Sequence, residues 1–251
     1  MSGRTTEQGI LCVLPARFAS VRLPGKPLLE VKGVPLIMWS YRKAQAAGVF
    51  AEVVVATDDE RVCRCVSDHG GKAVMTSANH ATGTDRVNEV AAMLAFGWIV
   101  NLQGDEPLLP EAAIRNFAEQ VVTLDNNSLL TSVSNATIRE KNDPNCVKAV
   151  LNGRNEALYF SRAPIPFDRG GQHNQAWRHT GIYGFGREAL ATFCQLPRAN
   201  LEQREHLEQL RALEHGMTIK CLIHDYRAFG IDTPEDLQVF KALVNKQHLE
   251  P

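Results

Sequence analysis

The 251-residue sequence lacks several patterns that would place it in a common functional class. Its six cysteines include no C-x-x-C pair, so zinc-ligand spacing is absent, and we interpret them as small buried hydrophobes in a reducing compartment. No apolar run approaches 18 residues, and residues 1–9 show no signal-peptide pattern, so we expect a cytoplasmic protein without membrane insertion. Neither a G-x-x-x-x-G-K-[ST] loop nor a G-x-G-x-x-G turn occurs, which argues against a dehydrogenase.

The sequence also lacks an excess of charge of one sign. Its 27 Lys and Arg residues nearly balance its 28 Asp and Glu residues, and the net charge is −1. This balance gives no overall basic character that would favour nucleic acid as a partner. An anionic substrate would have to be bound by local groups of basic residues, so the positions of Arg and Lys matter more than their total.

The first half of the chain alternates short apolar segments with helical patterns. The predicted strands cover residues 10–15, 52–57, 72–75 and 98–102. The predicted helices cover residues 35–47, 59–69, 85–96 and 111–124. The segment 10–15 is almost wholly apolar, which is typical of a strand buried on both faces of a parallel sheet. The alternation therefore predicts an α/β fold with a mostly parallel, open sheet.

The second half has a different pattern. Its strand-like segments, without clear helices between them, cover residues 128–133, 147–151, 157–160 and 179–185. Helical patterns return at residues 201–215 and 234–246. We therefore predict a small antiparallel lobe at about residues 128–200. Because no internal repeat or low-complexity linker occurs, we predict a single domain over residues 1–251.

A basic loop follows the first predicted strand, where an open α/β sheet places its ligand crevice. Residues 15–27 contain Arg17, Arg22 and Lys26, together with Gly25, which permits close approach of the backbone. Three cations in so short a segment favour the binding of a polyphosphate. A solvated basic loop is the alternative interpretation.

This loop reads R-x-x-S-x-R-L-P-G-K-P-L over residues 17–28 and resembles the signature loop of the nucleotidyltransferases that make CMP-3-deoxy-manno-octulosonate. Motifs similar to those of the same family follow in the family's order along nearly the whole chain: ATD at 56–58, GTDR at 83–86, NLQGDEP at 101–107, ALYFSR at 157–162, HTGIY at 179–183, LEQLR at 207–211 and DTPED at 232–236.

The resemblance implies a GT-A-like, Rossmann-like nucleotidyltransferase fold. It implies transfer of CMP from CTP to the anomeric hydroxyl of 3-deoxy-manno-octulosonate, with release of pyrophosphate. The product would serve the synthesis of lipopolysaccharide or another cell-surface polysaccharide. The resemblance also implies a homodimer.

Two aspartates are candidate ligands of a magnesium cofactor. Asp105 follows a predicted strand, and Asp232 precedes the predicted helix at 234–246. Asp232 or Thr233 could instead be a helix N-cap. The resemblance implies that Asp105 and Asp232 together hold Mg²⁺, which suits the preference of this ion for carboxylate and phosphate oxygens. It also places Arg17, Ser20, Arg22, Lys26 and Gln103 against the nucleotide or the sugar.

The resemblance assigns the acidic sugar to five residues of the second half. A sugar carboxylate is matched by a bidentate arginine, and hydroxyls are matched by His, Tyr and Glu. The candidates are Arg162, His179, Tyr183, Glu208 and Arg211. Each has a structural alternative: Tyr183 could belong to the core, His179 could be a satisfied histidine, and Glu208 and Arg211 could form a surface pair on one helix.

Ser77 departs from the family, in which many relatives carry Arg, so the resemblance does not carry over one contact to the base, and backbone groups could still distinguish cytosine. The acceptor also stays open between the octulosonate and an 8-amino octulosonate, a nonulosonate or a phosphonate. A non-catalytic nucleotide-binding protein is a further alternative. The retention of both Asp105 and Asp232 argues against it.

Overall fold

A computed structural model describes residues 9–19, 22–171, 175–227 and 229–250. The chain divides into two compact units. The first contains the described residues of Met1–Ala118 and Ala228–Pro251, and the second contains those of Glu119–Arg227. The single domain with a lobe at about 128–200 stays a prediction.

The strands, numbered in chain order, are β1 Ile10–Ala16, β2 Glu30–Val31, β3 Val34–Pro35, β4 Glu52–Thr57, β5 Ala73–Met75, β6 Trp98–Asn101, β7 Ser128–Asn135, β8 Lys148–Leu151, β9 Ala157–Ser161, β10 Trp177–Gly186 and β11 Thr218–His224. The helices are α1 Leu36–Ala46, α2 Glu60–Asp68, α3 Gly83–Met93, α4 Glu111–Val121, α5 Ile138–Asn142, α6 Arg187–Gln195, α7 Asn200–Glu205, α8 Gln209–Glu214 and α9 Pro234–Gln247. None of these helices combines the length and apolar character needed to cross a membrane.

The first unit is built on a parallel sheet. Its strands lie in the order β6-β1-β4-β5, and every neighbouring pair is parallel, as the alternation of strands and helices predicted. The central residues of β1, 11–14, have no exposed surface, which confirms burial on both faces of the sheet. The last helix, α9, also belongs to this unit, where Phe240 packs edge-on against Trp39 of α1 at 5.2 Å between ring centroids.

The second unit has a mixed sheet. β7 pairs antiparallel with β10 and parallel with β11. β8 pairs antiparallel with the start of β10 and with β9. The predicted antiparallel segments are thus present, but short helices also lie in this half. One of them, α5, begins with a capping box between Thr137 and Glu140, so the prediction of no clear helix among these strands was wrong.

The helix predicted at residues 201–215 is interrupted. The chain forms α7 and α8 instead, because His206 adopts the left-handed conformation with φ 53°. The Leu207 amide donates to the carbonyl of Glu202 at 3.2 Å, which is the hydrogen bond that ends a helix in a Schellman motif. Leucines occur at positions 201, 207, 210 and 213, on both sides of the break, and Leu207 and Leu210 after it are buried, so the apolar pattern gives no sign of the break.

We predict that His206→Gly raises the free energy of unfolding. The left-handed conformation costs an L-residue about 1–2 kcal/mol, and glycine avoids this cost but loses about 0.5–1 kcal/mol through the greater freedom of the unfolded chain. Because the His206 side chain is exposed, little packing is lost. The net gain should be about 0.5–1 kcal/mol in denaturant unfolding.

His215→Gly is the matched control for this prediction. His215 also ends a helix and is exposed, but its φ of −102° is unstrained. This variant should leave the free energy of unfolding unchanged or lower it. Equal gains in the two variants would contradict the assignment of strain to His206.

Candidate functional site

The basic loop ends in a tight turn that directs Lys26 inward. Gly25 has φ 68°, a conformation that favours glycine, and residues 26–28 form a single turn of 3₁₀ helix with Pro27 at its start. The Leu28 amide closes the turn onto the carbonyl of Gly25 at 2.9 Å. The local sequence G-K-P-L therefore fixes the backbone from which the lysine side chain extends.

The Lys26 ammonium lies between the two predicted metal ligands. Its Nζ is 2.5 Å from Asp105 Oδ2 and 3.0 Å from Asp232 Oδ1, and it also donates to the carbonyl of Ile231 at 2.8 Å. Burial by itself lowers the pKa of Lys26, but attraction to Asp105 and then to Asp232 outweighs burial, so its pKa is raised. Lys26 is therefore charged at neutral pH, and its three donors are all used.

Backbone contacts bring the two aspartates together across the sequence. The Ile231 amide donates to the carbonyl of Asp105 at 3.0 Å, so the two segments lie side by side. Thr233, not Asp232, caps α9: its hydroxyl accepts from the Asp236 amide, and the Asp236 carboxylate accepts from the Thr233 amide. The Asp232 carboxylate is left facing Lys26 and Arg22, the latter at 3.1 Å.

A cleft opens beside Lys26 and encloses about 340 Å³, part of which is open to solvent. It lies at the carboxyl ends of β1 and β6, where open parallel sheets bind ligands. A Cβ atom on Gly104 would lie 2.5 Å from Ile37 Cδ1, so a larger residue in the turn before Asp105 would displace the buried Ile37 side chain. The cleft is lined by Pro15, Ala16, Arg17, Lys26, Pro27, Leu36, Ile37, Gln103, Gly104 and Asp105.

The remaining predicted nucleotide ligands differ in how they are held. Arg17 Nη2 donates to the carbonyl of His80 at 2.8 Å, and Gln103 Nε2 donates to Asn101 Oδ1 at 3.3 Å. Arg22 is largely exposed, so its ion pair with Asp232 is screened by water. Ser20 lies outside the described residues.

A buried arginine that our sequence analysis missed supports the loop before α3. Arg86 has no exposed surface; it pairs with Asp58 at 2.7 Å and donates to Thr76 Oγ1. These contacts join the ATD and GTDR motifs. Ser77, the position that departs from the family, donates its amide to Glu89 at 2.9 Å, so this backbone donor already has a partner within the protein.

The aspartate pair fits a magnesium ion. One cation, the Lys26 ammonium, already contacts both carboxylates, so their spacing suits a shared positive charge. Magnesium prefers one or two carboxylates, completed by phosphate oxygens and water. The described residues contain no group of three His, Cys, Asp or Glu that could enclose a metal by itself, so substrate oxygens or water would have to supply the remaining ligands.

In the second unit, Arg162 directly follows β9, as the sequence predicted, and is held at several atoms. Its Nε donates to the carbonyl of Glu205 at 2.9 Å, and its Nη1 donates to the carbonyl of Pro144 at 3.2 Å. Its amide donates to the Glu205 carboxylate at 2.9 Å. Within the part of the chain that the structure describes, Nη2 has no hydrogen-bond partner.

His179 and Tyr183 lie on β10 with ring centroids 5.5 Å apart. His179 Nε2 is 2.9 Å from Thr131 Oγ1, and burial, followed by the charge of Arg178, lowers the pKa of His179 to about 3. This histidine is therefore neutral at physiological pH. Burial, followed by the charge of Glu208, raises the pKa of Tyr183 well above its ordinary value, so Tyr183 keeps its proton.

The surface position that we considered as an alternative for the pair Glu208 and Arg211 does not hold for Arg211. Arg211 is buried, and its Nε and Nη2 contact the two carboxylate oxygens of Glu202 at 2.9 and 2.6 Å. Glu208 precedes the first residue of α8. The participation of either residue in sugar binding stays a prediction.

Sequence reasoning also missed Lys148 and Glu205, which contact Arg162. The isolated lysine in the apolar segment V-K-A-V-L at 147–151 is the signal that could have identified Lys148, because a charge inside a buried strand requires partners. No comparable signal marks Glu205, whose carboxylate accepts from the Ser161 hydroxyl at 2.6 Å.

Comparison with known proteins supports the resemblance. The sequence model of the family described as cytidylyltransferase matches residues 11–219. The 3-deoxy-manno-octulosonate cytidylyltransferase of Thermodesulfovibrio yellowstonii is 44% identical, over 94% of this chain and 98% of that relative. The 8-amino-3,8-dideoxy-manno-octulosonate cytidylyltransferase of Shewanella loihica is 41% identical, over 93% of this chain and 97% of that relative.

A solved structure is also similar over nearly its whole length. It is the CMP:2-keto-3-deoxy-manno-octonic acid synthetase complexed with CTP, which is 39% identical, with a TM-score of 0.92 over 96% of this chain and 100% of that chain. The predicted family and fold class are therefore confirmed. The chain belongs to the cytidylyltransferase family, in the group of the 3-deoxy-manno-octulosonate cytidylyltransferases.

Proposed function

We propose that this protein transfers CMP from CTP to the anomeric hydroxyl of 3-deoxy-manno-octulosonate and releases pyrophosphate. The observation that carries the proposal is the contact of Lys26 with both Asp105 and Asp232, beside the cleft at the carboxyl ends of β1 and β6. The solved relative at 39% identity is a synthetase of this type complexed with CTP.

The reaction requires little covalent chemistry from the protein. The anomeric oxygen of the sugar attacks the α-phosphorus of CTP, the bond from that phosphorus to the bridging oxygen breaks, and the hydroxyl proton is lost to solvent or a base. Catalysis then rests on alignment of the reactants and on neutralisation of charge. Arg17, Arg22 and Lys26 are the cations that border the triphosphate in this proposal, and they stabilise the charge on the departing pyrophosphate.

Asp105 and Asp232 are the residues that would hold the predicted magnesium cofactor. A magnesium ion held by these two carboxylates would supply positive charge that offsets the charge of the phosphate, and it would lower the pKa of the attacking hydroxyl. The Lys26 ammonium contacts one oxygen of each carboxylate, so a metal held by these same two oxygens would have to displace Lys26 from them. The nearby triphosphate is the partner that Lys26 would then take.

The acidic sugar would be bound in this proposal by the polar groups of the second unit. Arg162 has one guanidinium nitrogen, Nη2, that is open to a carboxylate, and Nε and Nη1 fix the orientation of the group. His179 is neutral because of its lowered pKa, so it would bind a hydroxyl as a donor or acceptor and would not compete for the carboxylate. Tyr183, Glu208 and Arg211 complete the predicted set.

An 8-amino octulosonate is the second candidate acceptor. The relative from Shewanella loihica, at 41% identity, is named for that sugar, and its identity is close to the 44% of the relative named for the octulosonate. Overall similarity therefore does not separate the two acceptors. The homodimer, the cytoplasmic location and the use of the product in lipopolysaccharide stay predictions.

We predict that Asp232→Asn nearly abolishes turnover at ordinary magnesium concentrations while the fold is retained. A neutral amide supplies less charge to a hard cation than a carboxylate does, so the apparent magnesium requirement should rise strongly. The measurement is pyrophosphate release against magnesium concentration, with circular dichroism as the check on folding. Asp105→Asn should behave in the same way.

Asp236→Asn is the matched control, because the Asp236 carboxylate lies in the same segment but contacts only the Asp232 and Thr233 amides and the Thr233 hydroxyl among the described residues, and not the Asp232 carboxylate. It should lower the melting temperature and leave the magnesium dependence unchanged. A folded Asp232→Asn enzyme with a normal magnesium dependence would remove Asp232 from the metal site.

We predict that pyrophosphate release is fastest with 3-deoxy-manno-octulosonate in a panel of acidic sugars. We also predict that Arg162→Lys raises the KM for that sugar far more than the KM for CTP. Lysine keeps the charge but loses the Nη2 donor, whose orientation the contacts of Nε and Nη1 fix, so about 1–3 kcal/mol of binding, or about 5- to 150-fold in KM, should be lost.

Arg154→Lys is the control for this substitution, because Arg154 is an exposed arginine of the same unit that pairs with Glu156. Its kinetics should match those of the wild type. A large CTP defect with an unchanged sugar KM in Arg162→Lys would refute the role of Arg162. A preference for the 8-amino sugar would show that the acceptor is not the octulosonate, and it would leave the proposed reaction class unchanged.

A further inference from the structure

Lys148 is a buried lysine whose ammonium is bound by main-chain carbonyls and, among the described residues, by no other group. It begins β8 and has no exposed surface. Its Nζ donates to the carbonyls of Asp143 at 2.7 Å, Cys146 at 2.6 Å and Arg162 at 2.7 Å. A lysine ammonium has three donors, so these three carbonyls use all of them.

Burial of the Lys148 ammonium group costs desolvation free energy, which indicates that this lysine does more than fill space in the strand. Burial lowers the pKa of Lys148, the nearby carboxylates of Asp143 and Glu205 partly oppose that effect, and the charge of Arg162 adds to it. An apolar side chain in this strand would avoid the cost of desolvating an ammonium group. What the lysine provides is a fixed geometry for three backbone carbonyls from two separate segments.

Both segments also hold Arg162. One carbonyl that Lys148 binds belongs to Arg162 itself and fixes its backbone. The other two, from Asp143 and Cys146, flank Pro144, whose carbonyl accepts from Arg162 Nη1. Lys148 therefore supports the arginine at its backbone and at one end of its guanidinium group.

Glu205 supports the other side of the same arginine. Its carboxylate accepts from the Arg162 amide and from the Ser161 hydroxyl, and its carbonyl accepts from Arg162 Nε. With Nε and Nη1 both bound, the guanidinium plane has one orientation. Nη2 is the nitrogen that this orientation leaves for a ligand.

We propose that Lys148 is a positioning residue for the acceptor: by binding the carbonyls of Asp143, Cys146 and Arg162, it fixes the Arg162 guanidinium in the orientation that receives the sugar carboxylate. This inference rests on the proposed function, in which Arg162 binds that carboxylate. Lys148 itself touches no substrate, so its effect reaches the sugar only through Arg162.

The test compares KM values for the octulosonate and for CTP in Lys148→Met and Lys148→Gln. Methionine has a similar length but no donor, so the sugar KM should rise about tenfold or more, which is the scale of one lost charge-assisted hydrogen bond. The KM for CTP should stay within about twofold of the wild type. Glutamine restores two of the three donors and should give a smaller defect, so it carries the test if the methionine variant does not fold.

Two further variants separate positioning from a general loss of stability. Leu190→Ala removes a fully buried side chain of α6 in the same unit, so it lowers the unfolding midpoint without removing a contact of Arg162. Its sugar KM should be normal. In an Arg162→Ala background, Lys148→Met should raise the sugar KM no further, because a positioning residue has no effect once the residue that it positions is gone.

A normal sugar KM in a folded Lys148→Met enzyme, or a full additional defect in the Arg162→Ala background, would overturn the inference. An Arg162→Ala enzyme with a normal sugar KM would refute the role of Arg162 and the inference with it. A wild-type enzyme that releases no pyrophosphate from CTP with any octulosonate would refute the proposed function itself, which is a distinct result.

Discussion

The ion contacts of Lys26 with Asp105 and Asp232 organise the first unit. The two carboxylates lie close enough to share one ammonium group, and without a cation between them they would repel each other. Lys26 and Asp232 are separated by 206 positions in the sequence, so this contact connects the turn after β1 to the segment that enters α9. The same C-terminal segment makes two further contacts with the first part of the chain. Ile231 donates a hydrogen bond to Asp105, and Phe240 of α9 packs on Trp39.

The chemistry that we propose follows from the same constraint. Two carboxylates held beside a cleft attract a divalent cation, and a lysine that already balances their charge keeps them in place before the substrate arrives. Because the two carboxylates raise the Lys26 pKa, the lysine is protonated while it contacts them. In the second unit, Arg162 is prepared in a comparable way, since backbone carbonyls fix two of its nitrogens.

Part of this fold could be predicted because some strands and helices are determined by the residues within them. The core of β1 is apolar along its length, and such burial on both faces is typical of a parallel sheet. The break between α7 and α8 could not be predicted in this way, because histidine has only a modest preference for the left-handed conformation that His206 adopts. The two-residue strands β2 and β3 are too short to show a period.

The candidate site could likewise be predicted only in part from the sequence. Spacing alone indicated that the basic loop favours phosphate, but the meeting of Asp105 with Asp232 depends on tertiary structure and was implied only by the family resemblance. The structure resolves the alternative at Asp232, since Thr233 caps α9 and leaves the aspartate carboxylate for the cations. Arg211 shows the limit of motif reasoning, because its guanidinium is held by Glu202, a residue outside the LEQLR motif.

The most direct test of the central claim is a calorimetric titration of magnesium into the protein without CTP. If Asp105 and Asp232 form the metal site and Lys26 occupies it, Lys26→Met should bind magnesium about tenfold or more tightly than the wild type, because the competing cation is gone. Arg22→Met, which removes an exposed cation from Asp232 alone, should have a much smaller effect. Magnesium binding by Lys26→Met that is no tighter than binding by the wild type would contradict the claim.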